Sequence, residues 1–194
     1  METGFYGFPG GAVPPGASGA SGGGGLPLIA ETVVTGVVAA SITFSAIPGT
    51  YRHLLLISKV RDNSANAVDG FQVSFNGDTT AGHYSWAGVG EVNGTLGGNT
   101  SVGGAVINIG DVPGGTQAAS NFGIARTLFL YYADIDNAKL CSSEHTRFDS
   151  VSSAIINGVR GGVWFVTSAI TSLLLTPSAG SFSVGSKISL YGVS

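Results

Sequence analysis

The chain has 194 residues, of which only 8 are Lys or Arg and 11 are Asp or Glu, with 32 glycines and a single cysteine. A formal net charge of −3 leaves no basic stripe to track phosphates, which argues against nucleic-acid binding, and Cys141 alone cannot close an intrachain disulfide. Apolar runs fall far short of the ~20 residues that cross a bilayer as a helix, so no membrane partner is expected, and with so few charges the surface must be neutral and polar or covered by other subunits.

The chain opens on a period of three. Gly4, Gly7, Gly10, Gly16, Gly19, Gly22 and Gly25 fall in phase, with Val13 as the one fault. A Gly-X-Y repeat with prolines in the other places is the sign of a collagen-like triple helix, because only glycine fits where three chains meet at the axis. Few prolines and the run Gly23 to Gly25 weaken such a helix, since glycine loses most entropy on ordering. The alternative is an extended arm that orders against a partner, with Phe5, Tyr6 and Phe8 as anchors for that partner's pockets. Residues 1–27 are assigned to this arm or stem and residues 28–194 to one domain.

Beyond the arm, short β-branched and aromatic runs are cut by Gly, Asn, Asp, Ser and Pro. Strands are predicted over Glu31–Val38, Ala40–Ser45, Tyr51–Arg61, Gly70–Phe75, Gly82–Trp86, Gly104–Ile109, Phe122–Ala133, Ala138–His145, Ala154–Asn157, Gly162–Val166, Ile170–Thr176 and Lys187–Val193. No window carries a ten-residue helical stripe with caps. Ile42 and Phe44 alternate with Thr43, and Phe71, Val73 and Phe75 share one face, so each strand has a core side and a wet side. The fold class expected is all-β, an antiparallel β-sandwich of jelly-roll type. Leu54-Leu55-Leu56-Ile57 and Leu173-Leu174-Leu175 are apolar on both faces, which places a neighbouring subunit against an outer face.

Residues that could carry chemistry are sparse. Cys141, Glu144 and His145 lie close in sequence, but on a strand Cys141 and His145 stand roughly 13 Å apart on one face, too far for proton transfer. Asp134-Ile135-Asp136-Asn137 looks like a fragment of a calcium loop without its closing glutamate and reads first as a turn. Phe75-Asn76-Gly77-Asp78 carries the Asn-Gly hairpin signal. Asn76, Asp78, His83, Tyr84 and Trp86 form the candidate glycan contact, aromatic faces for a sugar ring beside groups for its hydroxyls; Tyr84 and Trp86 as core residues of one strand is the alternative. No catalytic residue, cofactor or metal site is assigned.

The ordered set Ile42-Thr43-Phe44-Ser45-Ala46-Ile47-Pro48-Gly49-Thr50-Tyr51-Arg52-His53-Leu54, Phe75-Asn76-Gly77-Asp78 with His83-Tyr84, Trp164, Ser168-Ala169-Ile170-Thr171-Ser172-Leu173, Thr176-Pro177 and Ser189-Leu190-Tyr191-Gly192-Val193 resembles a β-domain of tailed-bacteriophage structural proteins. The resemblance covers about residues 40 to 194, and such domains often follow Gly-rich or collagen-like stems in minor tail and fibre proteins. It implies a non-enzymatic virion structural protein whose position on the particle varies within the family; joined to the glycine period, which asks for three chains, the expectation is a homotrimer on the virion exterior, bound to other virion proteins through the arm. Capsid decoration or a head fibre is the alternative placement, and attachment to host-surface glycan a further role. Locally, Pro48 and Gly49 are expected to form a turn with Gly49 free for positive φ, Pro177 to stop a strand, and Gly192 to allow a close backbone approach.

Overall fold

The computed structural model describes residues 26–92 and 94–194. The arm, including the in-phase glycines and Phe5, Tyr6 and Phe8, lies outside the described residues. The strands are β1 (Leu28–Val33), β2 (Ile42–Phe44), β3 (His53–Val60), β4 (Val68–Phe75), β5 (Tyr84–Val92), β6 (Thr95–Gly104), β7 (Ile107–Pro113), β8 (Gly123–Leu130), β9 (Lys139–Asp149), β10 (Ala154–Trp164), β11 (Leu173–Pro177) and β12 (Lys187–Val193). They form two antiparallel sheets, one of eight strands in the order β1-β12-β3-β8-β9-β10-β5-β6 and one of four in the order β2-β11-β4-β7.

Period-two alternation decides which side chains meet between the sheets. On β3, Leu54, Leu56 and Val60 are buried while Ile57 is exposed. The small sheet supplies Ile42, Phe44, Phe71, Val73, Phe75, Ile109, Leu173 and Leu175 to the core, and the large sheet supplies Leu54, Leu56, Phe129, Trp164, Ile188 and Leu190. Each such side chain contributes about 1.5–3 kcal/mol by leaving water. Two packed sheets over one core is the sandwich that the alternation predicts.

Three local expectations change. Asn76 and Gly77 are both left-handed, at φ 55° and 70°, and Asp78 N–H donates to Phe75 O at 2.8 Å, so the turn forms. It joins no hairpin, because β4 lies in the small sheet and β5 in the large one. Gly49 is not left-handed; Ala46, at φ 53°, is. A Cβ on Gly192 would sit 2.4 Å from the Tyr51 ring, so the close approach there is that of an aromatic side chain. Pro177 does end β11, and the pairing with β2 stops earlier, at Leu175.

Ala154–Asn157 and Gly162–Val166, predicted as two strands, fall on the single strand β10 as far as Trp164, where it ends, and β10 pairs with β9 from Ala154 to Trp164. Its glycines face two environments. A Cβ on Gly162 would meet Ile107 at 2.4 Å and Cys141 Sγ at 3.0 Å, whereas one on Gly161 meets nothing within 4 Å. Gly162→Ala is therefore expected to lose about 1–3 kcal/mol through overpacking, while Gly161→Ala stays within about 0.5 kcal/mol or gains slightly. Urea unfolding of the two variants checks this; equal effects would show that strand propensity, and not the inward notch, sets the cost.

Candidate functional site

Of the five residues picked for glycan contact, the fold gathers four into one hydrogen-bonded knot. Asp78 Oδ2 accepts from Trp164 Nε1 at 2.7 Å and from His83 Nδ1 at 2.7 Å, and Oδ1 accepts from the Thr80 N–H at 3.0 Å. Tyr84 is fully buried; its hydroxyl donates to Asp78 O at 2.9 Å and accepts from the Phe75 N–H at 3.0 Å. Asn76 Oδ1 accepts from the N–H groups of Thr171 and Ser172, and its Nδ2 donates to Ala169 O. These contacts tie the turn after β4 to the segment before β11. The polar groups of Asn76, Asp78 and Tyr84 are thus engaged in hydrogen bonds within the chain, with Tyr84 buried and Asn76 at the surface. His83 keeps a side chain 41% exposed. Trp86 stands apart from the knot, half-buried, with the Arg160 guanidinium carbon 5.2 Å from its ring centre.

Electrostatics follow from this wiring. Desolvation pushes the Asp78 carboxyl up, but hydrogen bonds from Trp164 and His83 outweigh it and hold the group well below the usual carboxylate range. Burial drives the Tyr84 phenol up to about 12, so it stays protonated and keeps donating.

The other sequence candidates do not converge. Cys141 and His145 both face inward from β9 while Glu144 faces out, and burial raises the Cys141 thiol to about 12, far from a reactive thiolate. Asp134 accepts from the Asp136 N–H at 2.8 Å and from Asn137 Nδ2 at 2.9 Å, the local side-chain-to-backbone pattern of a turn.

A charged cluster that the sequence reading missed lies under β7. Arg160 Nη2 on β10 donates to Asp111 Oδ1 on β7 at 2.6 Å, and His145 Nε2 on β9 lies 3.6 Å from Asp111 Oδ2. Burial raises the Asp111 carboxyl, yet His145 and Arg160 bring it below its ordinary value. Glycines make the room: a Cβ on Gly88 would strike Arg160 Cγ at 2.5 Å, and one on Gly158 would strike the His145 ring at 2.4 Å. Asp111 and Arg160 border a cleft of about 280 Å³ whose floor includes Gly88, Gly90, Gly97 and Gly98. In sequence, the signal was glycine at the β5 and β10 positions paired as Gly90 and Gly158.

Among the described residues, the outer face of the eight-stranded sheet has no partner packed against it. Cross-strand register lines up Leu130, Leu140 and Val163 in one row, and Ile57, Arg126, Glu144, Val159 and Val89 in another. Leu140 is 54% exposed, and Ile57, Ile124, Val89, Val159 and Ile155 are also exposed. Leu130, Leu140, Val163, Ala87 and Thr100 line a shallow depression of about 530 Å³. The charges in the middle of this face pair with each other, Arg126 with Glu144 at 2.8 Å. Of the predicted two-faced runs, Leu54-Leu55-Leu56-Ile57 does send Ile57 onto this face, while Leu173 and Leu175 point into the core from the other sheet.

Comparison with protein-family models, with curated proteins and with solved structures returned no match to this chain.

Replacing Asp78 by Ala strands the buried Trp164 N–H and is expected to cost about 2–3 kcal/mol, with altered near-UV dichroism from Trp164. Because the Asp78 carboxyl is lower in the folded chain than in the unfolded one, its stabilisation is full above about pH 4 and is lost as pH falls through the folded value. The wild-type chain should lose stability in acid more steeply than the Asp78→Ala variant in parallel urea titrations; equal slopes would refute the assignment.

Proposed function

We propose that the chain is a non-enzymatic structural protein of a tailed-bacteriophage virion, an exterior tail-fibre or minor tail component built as a homotrimer and held on the particle through its N-terminal arm. One observation carries the assembly part: the outer face of the eight-stranded sheet exposes rows of aliphatic side chains whose few central charges are paired among themselves. Apolar patches of that extent mark interaction surfaces on soluble proteins. Removing them from water against another copy gains about 25 cal/mol per Å², and closed symmetric assembly is the usual way for identical chains to do it. The virion part rests on the resemblance of residues 40 to 194 and on the glycine period of the leader, whose strict reading demands three chains.

Light scattering on the full chain and on a chain spanning residues 27–194 tests the assembly, and both are expected to be trimers. Leu140→Lys, in the aliphatic row of the outer face with Leu130 and Val163, should shift the mass toward the monomer while changing monomer stability by no more than about 0.5 kcal/mol. A folded wild-type monomer at tens of micromolar would remove the reading. Deletion of residues 1–9 should abolish incorporation into particles, measured by the protein's occupancy in purified virions.

A further inference from the structure

The segment after β3, through the loop and into the first residues of β4, runs Asp62-Asn63-Ser64-Ala65-Asn66-Ala67-Val68-Asp69. Oxygen-bearing side chains fall at every second position, 62, 64 and 66, with a second carboxylate at 69. This is the spacing by which irregular loops present oxygens to a calcium ion. In the fold, Ser64 Oγ donates to Asp69 Oδ2, Asn66 Nδ2 donates to Asp69 Oδ1 at 3.0 Å, and the Ser64 N–H donates to Asp62 Oδ1 at 2.7 Å. Ser64 and Asn66 thus meet at the Asp69 carboxylate, and Asp62 is joined to them through the Ser64 backbone.

An independent observation concerns Asp62. Its side chain is fully buried, and its Oδ2 has no hydrogen-bond partner. Asp69, itself buried, is the charged group that acts on it. Among the described residues neither carboxylate belongs to an ion pair. Arg61, the adjacent cation, is turned away, with Nη2 donating to the carbonyls of Gly114, Gly115 and Gln117. A buried carboxylate with an unmet oxygen costs several kcal/mol, and a second carboxylate beside it adds repulsion. A proton, an ordered water or a cation can meet that demand.

We propose that this loop is a divalent-cation site of calcium type, with Asp62 and Asp69 as its charged ligands and Ser64 Oγ and the Asn66 side-chain carbonyl as neutral ones. Rotation of the Asn66 amide exchanges its oxygen and nitrogen at no cost in shape. The set is all oxygen and irregular, which suits the larger, more tolerant ion over magnesium, which demands a near-ideal octahedron. No group of three or more His, Cys, Asp or Glu is gathered among the described residues, so water and neutral oxygens complete the shell. A bound ion would also fasten structure, since Asp62 N–H donates to Pro113 O at the end of β7 and Ser178 Oγ donates to Asp69 just after β11.

The test uses the full chain at pH 7.5, freed of metal with EDTA and titrated with calcium chloride, in parallel with magnesium chloride. Calcium is expected to raise the melting temperature by about 5–10 °C at a hundredfold excess over its Kd, with one site per chain by calorimetry and a weaker response to magnesium. Asp62→Asn and Asp69→Asn should each abolish the calcium shift, and Asp62→Asn should melt in EDTA no lower than the wild type. A wild-type melt unmoved by 10-fold millimolar calcium, on the order of 10 mM, overturns the proposal and leaves a pair sharing a proton, as does a calcium shift that survives in both variants.

Discussion

A single carboxylate, Asp78, holds the point where the chain leaves the small sheet for the large one. Its two inward partners, Trp164 on β10 and His83 just before β5, belong to the large-sheet side, while Phe75 just ahead of it ends β4 of the small sheet. The aromatic rings around it then have one way to pack. Phe75 lies edge-on to Phe129 at 5.6 Å and tilted against Trp164 at 5.4 Å, and Tyr84 stacks on Trp164 at 6.2 Å. Area alone would let such rings slide; a charge-assisted hydrogen bond to the indole N–H fixes their rotation and depth. The register of β10 against β5 follows, since Trp164 pairs with Tyr84 at its end.

Away from that anchor the interior becomes polar. Under β7, Thr127 and Ser143 share a hydrogen bond at 2.8 Å, Ser143 donates to Ile109 O, and beyond them stand His145, Asp111 and Arg160. A network of this kind gains little net stability over a well-packed apolar core, yet it penalises any other placement of β7, because each displaced member would leave a partner unmet. Glycine makes it feasible: at Gly88 and Gly158 a side chain would collide with Arg160 or His145, and at Gly110 it would press tightly on His145. The same glycines thin the sandwich toward β5 and β6, where the large sheet extends past the small one and the cleft opens.

How much of this was legible in the sequence follows from which force decides each feature. Strands governed by alternation, such as β3, β4 and β12, stand where Val, Ile, Leu and Phe alternate with polar residues. β6 escaped because Thr-Leu-Gly-Gly-Asn-Thr-Ser-Val-Gly-Gly has no alternation to read; it is an edge strand fixed by register with β5. β10 was split because glycine reads as a breaker unless one knows what faces it. The Asn76-Gly77-Asp78 turn was legible as a turn, but its use in joining two sheets depends on contacts some 90 residues distant, with Ala169 and Thr171. Tyr84 and Asp78 suggested a sugar site because their residue types suit one, and sequence cannot tell whether a hydroxyl points at solvent or at Asp78 O.

The scarcity of charge and the bare outer sheet are two aspects of one constraint. A sandwich whose larger sheet has eight strands against four has a wide outer face that can be charged, neutral and polar, or covered. Here the chain carries 19 charged residues of the Asp, Glu, Lys and Arg types in 194, and several lie inward, Asp62, Asp69, Lys139, Arg147 and Arg160 among them. Arg126 and Glu144, at the centre of the outer face, are about 60% exposed, so their pairing contributes little to a monomer in water. Covered by a neighbour, the same pair would sit in a lower dielectric, where its geometry would select one orientation of the incoming chain over others. In the proposed assembly the aliphatic rows would supply affinity, and the paired charges would supply its register.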